Sequence, residues 1–169
     1  MSGFGQTRIV SIAAGLALSF LLCAEAMAGG AEATAKKFFD AYRARDVDAM
    51  GQLFTKDATF VYVPFGEAGR GNVLEKGIPV WRTLIETFPN LRNEVNAVWE
   101  DKTGRVAFVD VHIGGTQAKD GFGIANQGKD YWLRHLFVLE TDEMGHITKI
   151  TSFWDNATWF SQLGKTSLK

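Results

Sequence analysis

The chain of 169 residues holds one cysteine, Cys23, only three prolines, and a net charge of −1 from 18 basic and 19 acidic side chains. Each shortage excludes something. A near-zero charge with no Lys/Arg block leaves no electrostatic footprint for nucleic acid. The one Gly-Lys-Thr, Gly164-Lys165-Thr166, has Trp159 where a phosphate loop needs its first glycine, and Gly121-Phe122-Gly123 runs on into Ile124-Ala125-Asn126 without the third glycine of a dinucleotide fingerprint. A Gly-x-Ser-x-Gly elbow for a serine nucleophile is also missing. The three histidines, His112, His135 and His146, stand far apart and lack cysteine partners, so neither metal nor cofactor is expected. Only a meeting of His112, His135 and a carboxylate across strands would change that.

What is present begins with a leader. Arg8 precedes an apolar run from Ile9 to Ala24, and Ala26-Met27-Ala28 is a small-x-small cleavage site. This is the tripartite pattern of a secretory signal peptide over residues 1–28, and the run is shorter than the roughly 20 residues of a membrane span. Cleavage after Ala28 would remove Cys23, leaving no thiol nucleophile, redox pair or Cys-ligated metal. The expectation is a periplasmic or secreted protein, free of the membrane, with residues 29–169 as a single domain held by its core alone. With 13 Phe and 5 Trp, that domain has either a bulky core or a cavity walled by rings.

The front of the domain reads as helix. Ala35, Phe38, Phe39 and Tyr42 recur at i, i+3, i+4 and i+7, which predicts a helix over 34–45. Asp46 caps a short second helix with Val47, Met50 and Phe54 inward. Ala58 to Val63 reads as a strand, followed by a glycine-rich loop through Gly66, Gly69 and Gly71. Pro79 opens a third helix lined by Trp81, Leu84, Ile85 and Phe88, and Pro89 stops it. The back reads as two hairpins, 93–100 with 105–116 and 129–141 with 146–154, around the turns Asp101–Gly104 and Asp142–Gly145. A short helix over 156–163 ends at Gly164. Helices first and antiparallel strands after make an α+β domain.

Gly77, then Phe88-Pro89-Asn90-Leu91, Gly115-Thr116, Phe153-Trp154-Asp155 and Gln162-Leu163-Gly164, in this order, resemble the SnoaL-like polyketide cyclase group of the NTF2-like superfamily. Six residues between Asp155 and Gln162 match the tail spacing of that group, and the resemblance covers Thr34 to Gly164. It implies a cone-shaped roll, in which a curved antiparallel sheet of four to six strands wraps three N-terminal helices around a deep pocket and a short C-terminal helix follows. It also implies a homodimer, or a higher homo-oligomer, through the outer sheet face. In one respect the chain departs from the group: ring-closing members carry an acid/base Asp three residues before the position of Asp155, and Ser152 stands there. A serine without an activating base takes up no proton at neutral pH, so that mechanism does not carry over.

The candidates for chemistry are few. His135 alternates with Leu133, Phe137 and Leu139 on one face, either as a hydrogen-bonded core residue or as an acid/base. Asp155 either caps the last helix or serves at the pocket mouth. Asp110 and His112 share a face, opposite Ala107, Val109, Val111 and Ile113; they point outward or form an acid/base pair in the cavity. Arg134 raises the same alternative. Trp81, Trp132 and Trp154, with Phe137 and Ser152, are the expected ligand wall. Two functions stay open: a cofactor-free acid/base enzyme (cyclase, isomerase, dehydratase or hydrolase type) on a hydrophobic small molecule, or a non-catalytic ligand-binding or assembly domain.

Overall fold

The computed structural model describes residues 30–165, so the signal peptide read over residues 1–28 lies outside the described residues. Helix α1 (Ala31–Ala44) starts three residues before the predicted boundary and buries Ala35, Phe38, Phe39 and Tyr42. It ends at Arg45, whose left-handed backbone (φ 60°) stops the helical ladder. Helix α2 (Val47–Gly51) opens on Asp46, whose carboxylate accepts the Ala49 N–H at 2.9 Å. Phe54 belongs to strand β1 (Phe54–Tyr62) rather than to that helix. The glycine-rich stretch holds a tight helical turn over Val63–Gly69, a three-residue strand β2 (Arg70–Asn72) and a wide turn over Val73–Gly77. Helix α3 (Ile78–Thr87) carries Pro79 in its first turn, where no N–H is needed. Strands β3 (Arg92–Glu100), β4 (Val106–Thr116), β5 (Asp130–Thr141) and β6 (Ile147–Trp154) then lead to helix α4 (Asn156–Gln162).

The six strands form one curved sheet in the order β2-β1-β6-β5-β4-β3. All neighbours are antiparallel except β1 and β6, which run parallel, so the purely antiparallel expectation is corrected. Parallel pairing needs a long crossover, and everything from α3 to β5 supplies it. The two-residue period of β4 and β5 decides which side chains face the helices. Ala107, Val109, Val111 and Ile113 turn inward beside Leu133, Phe137 and Leu139, all buried. Against them α1 packs Phe39 edge-on to Phe137 at 5.2 Å, while Phe38 meets Trp81 at 5.5 Å.

Several residues that carried the family resemblance turn out to be joints. Asn90 accepts the Thr116 N–H at 2.7 Å and donates to the Thr116 hydroxyl at 2.8 Å, tying the end of α3 to β4. Gln162 accepts the Trp132 N–H at 2.9 Å and fastens α4 to β5. Beside these joints the β4 backbone approaches its neighbour so closely that a Cβ on Gly114 would lie 2.0 Å from the Tyr131 carbonyl oxygen. Gly114→Ala is therefore expected to destabilise the protein by about 2–3 kcal/mol, as overpacking against rigid backbone does, measured by chemical denaturation.

Candidate functional site

Between α1, α3, α4 and the inner sheet face lies a narrow hollow of about 30 Å³. Its polar groups are His135, Ser152 and the phenols of Tyr42, Tyr62 and Tyr131; its apolar walls include Phe65, Phe122, Phe137, Trp154 and Trp159. That volume is room for roughly two waters, far below the several hundred Å³ typical of sites for drug-sized ligands. Phe65, from the turn after β1, and Phe122, from the loop between β4 and β5, stack at 6.3 Å and 15°. A larger occupant has to part such rings.

Inner-row alternation along β5 places Tyr131, Leu133, His135 and Phe137 on the hollow side. His135 pairs in register with Trp154 of β6, and Phe137 with Ser152, so these four meet as neighbours. The His135 Nδ1 lies 3.0 Å from the Leu133 carbonyl oxygen. A carbonyl only accepts, so Nδ1 carries the proton and Nε2 is left as a lone pair. Burial drives the imidazole pKa down to about 4, against the lift from the Leu133 carbonyl; His112 adds a smaller lowering. At neutral pH the ring is uncharged. Burial likewise lifts the phenols of Tyr42, Tyr62 and Tyr131 above the ordinary tyrosine range, so they remain proton donors. No lining side chain then bears a charge.

The other sequence candidates lie elsewhere. Asp110 and His112 face outward, which corrects the reading of them as a cavity acid/base pair. The Asp110 carboxylate accepts from Arg134 Nε and Nη2, both at 2.7 Å, and from Asn96 at 3.1 Å. The Arg134 hydrogen bond holds that carboxyl below its usual range despite partial desolvation. His112 contacts Asn96 at 3.0 Å and stacks on Trp132 at 5.7 Å, with the Arg92 guanidinium 4.8 Å over the same indole. Trp132 is therefore on the outer face, not in the ligand wall. Trp81 is fully buried behind the hollow, donating its Nε1–H to the Tyr62 hydroxyl at 2.6 Å. It supports the wall without lining it. Asp155 is exposed and caps α4, accepting the N–H groups of Ala157 and Thr158 at 3.0 and 3.1 Å. The Thr158 hydroxyl bond, first among the causes, keeps its carboxyl below the normal range.

Of the nine predicted site residues the hollow thus unites His135, Phe137, Ser152 and Trp154. The three tyrosines and Trp159 were missed. Tyr131 was legible, being two residues before Leu133 on the same face; Tyr62 and Trp159 reach the site through the β1–β6 pairing and the docking of α4, which no local period reveals.

Residues 35–150 match the SnoaL-like domain model. The chain belongs to the SnoaL-like domain family. No curated protein is a significant match. Among solved structures this SnoaL-like chain resembles a candidate polyketide cyclase from Pseudomonas putida, at 18% identity over 80% of this chain and 99% of that one, with a TM-score of 0.70. AclR, a candidate hydroxylase from Streptomyces galilaeus, superimposes with a TM-score of 0.69 at 13% identity, over 81% and 97%. A protein of ketosteroid isomerase-like fold from Catenulispora acidiphila, in complex with trimethylamine, gives 0.64 at 15% identity, over 78% and 92%. These likenesses establish the NTF2-like fold.

The state of His135 has a thermodynamic signature. Its folded pKa lies below the unfolded value near 6.5, so the unfolded chain binds more protons between the two. Its contribution is intact above about pH 6.5 and is lost as pH falls toward about 4. Denaturation of the SnoaL-like domain across that window should show a loss on the order of 2–3 kcal/mol that is flattened in His135→Gln.

Proposed function

We propose that this SnoaL-like protein is an exported, cofactor-free acid/base enzyme acting on a small, neutral, mainly apolar carbonyl compound held in the hollow. The reaction type is proton abstraction next to the carbonyl, the step shared by isomerisation, ring closure and dehydration. One observation carries this reading: His135 has its Nδ1 proton tied to the Leu133 carbonyl, while Nε2 has no partner among the described residues and borders an uncharged lining. In the proposed step the substrate C–H proton passes to Nε2, and the electron pair moves onto the carbonyl oxygen. A buried phenol, Tyr62 foremost, donates its hydrogen bond to that oxygen. Tyr62 already accepts from Trp81, so its own O–H is free to donate. A base of pKa about 4 suffices for such chemistry when neutral donors meet the developing oxyanion. Return of the proton to another atom completes the cycle without any cofactor.

A second reading, binding without turnover, is favoured by one feature: Ser152 stands where ring-closing relatives of the resemblance carry a carboxylate, and the hollow lining has none. The two readings separate in heavy water. With acetophenone as probe, wild type should speed deuterium uptake at the methyl carbon, followed by NMR, and His135→Gln should lower that rate at least about 100-fold while still folding. Acetophenone that binds without faster exchange would leave only the binding reading.

We also propose a second copy of the chain as partner, seated on the outer sheet face. Trp99, Phe108, Leu136 and Phe153 are 37–54% exposed there, grouped around the Asp110–Arg134 pair. An apolar group of this kind on a sheet face is what homodimers bury. Sedimentation equilibrium is expected to give a dimer for wild type and a monomer for Phe153→Arg; a monomeric wild type at tens of micromolar sinks the partner assignment.

A further inference from the structure

Two polar atoms of the hollow residues are fully buried and have no hydrogen-bond partner: the Ser152 hydroxyl oxygen and the Trp159 indole nitrogen. Ser152 is 0% exposed and Trp159 4%. Leaving such groups unpaired is costly, and two of them facing one hollow call for a partner that enters it. Their positions along the sheet are distinct. Ser152 lies beside Phe137 of β5 on one side and beside Tyr62 of β1 on the other. Trp159 of α4 packs its ring 6.0 Å from Tyr131, at the far end of the same inner row of β5. His135 sits between those ends, four residues from Tyr131 and two from Phe137.

We infer that the hollow, opened by parting of the stacked Phe65 and Phe122 rings, selects a molecule with two oxygen functions, one at each end, bound by Ser152 Oγ and by Trp159 Nε1–H, so that the carbon between them faces His135. An indole N–H only donates, so the oxygen at the Trp159 end is an acceptor, a carbonyl or ether. A serine hydroxyl both donates and accepts, so the other end takes either a hydroxyl or a carbonyl. The walls between the two ends are aromatic rings, Phe65, Phe122 and Trp154 among them, and they call for a flat or apolar body. This rests on the hollow being the binding site and names what distinguishes its ligand. Ser152 and Trp159 act as specificity residues, whereas His135 alone handles the proton.

The test uses the mature protein and three probes of one shape: ethylbenzene with no oxygen, acetophenone with one, and 4′-hydroxyacetophenone with two. Calorimetry on wild type should rank them in rising affinity, each oxygen adding about five- to tenfold. Ser152→Ala and Trp159→Phe should each remove one step, narrowing the gap between the oxygenated probes and ethylbenzene. A ligand-free readout runs alongside. Removing the unpaired Ser152 hydroxyl should hold or raise the melting temperature of Ser152→Ala, by up to about 3 °C. Equal affinity for the three probes, or none bound at millimolar concentration, overturns the inference. So does a clear drop in the ligand-free melting temperature of Ser152→Ala, since its hydroxyl would then be satisfied from within. Deuterium exchange decides the acid/base role separately: a His135→Gln variant that exchanges as fast as wild type ends that role and leaves the affinity ranking standing.

Discussion

The domain depends on a strict separation of charge across one sheet, enforced by the two-residue period of β4 and β5. Adjacent residues of β5 live in opposite worlds: Arg134 forms a two-pronged ion pair with Asp110 outside, while His135 stands neutral inside. A slip of one residue in that pairing would drive a guanidinium into the aromatic core and expose Leu133 and Phe137 to water. The same register sets Ser152 and Trp154 beside the histidine. Fold and site are thus fixed by one constraint, and neither tolerates disturbance independently of the other.

That constraint also explains what was legible in the residues. The i, i+3, i+4, i+7 run of α1 and the alternation of β4 and β5 are local patterns, and they appear in the structure with boundaries moved by a few residues. His135, Phe137, Ser152 and Trp154 share a hollow because period and hairpin register carry them there. Trp81 and Trp132 defeat the same reasoning. An indole looks alike to sequence whether it fills a core, stacks under a guanidinium or walls a cavity, and only the third dimension distinguishes these. Asp110 and His112 were ambiguous for a related reason: alternation divides a strand into two faces without saying which one meets the helices.

The uncharged character of the hollow is a matter of burial as much as of residue choice. One imidazole and three phenols titrate in water, yet desolvation pushes the imidazole down and the phenols up, away from neutrality on both sides. The outcome is a set of fixed dipoles rather than ions. Such a lining disfavours charged guests, which would forfeit their hydration without gaining a counter-charge. It is compatible with a neutral oxygenated molecule, whose oxygens find donors already oriented.

The parallel neighbourhood of β1 and β6 bears on how the chain reaches this state. It joins positions on the order of 90 residues apart, Tyr62 with Ser152 for example, whereas β3 to β6 connect through neighbouring hairpins. Short loops close at lower entropic cost, so the β3–β6 meander is the natural nucleus and the β1 seam is the last to zip. During synthesis, β1 and the helix before it emerge first but must wait for the final strand. Until it arrives, the rings of Phe38, Phe54 and Phe60 have no finished wall to rest against, and the half-built chain is vulnerable to association through them.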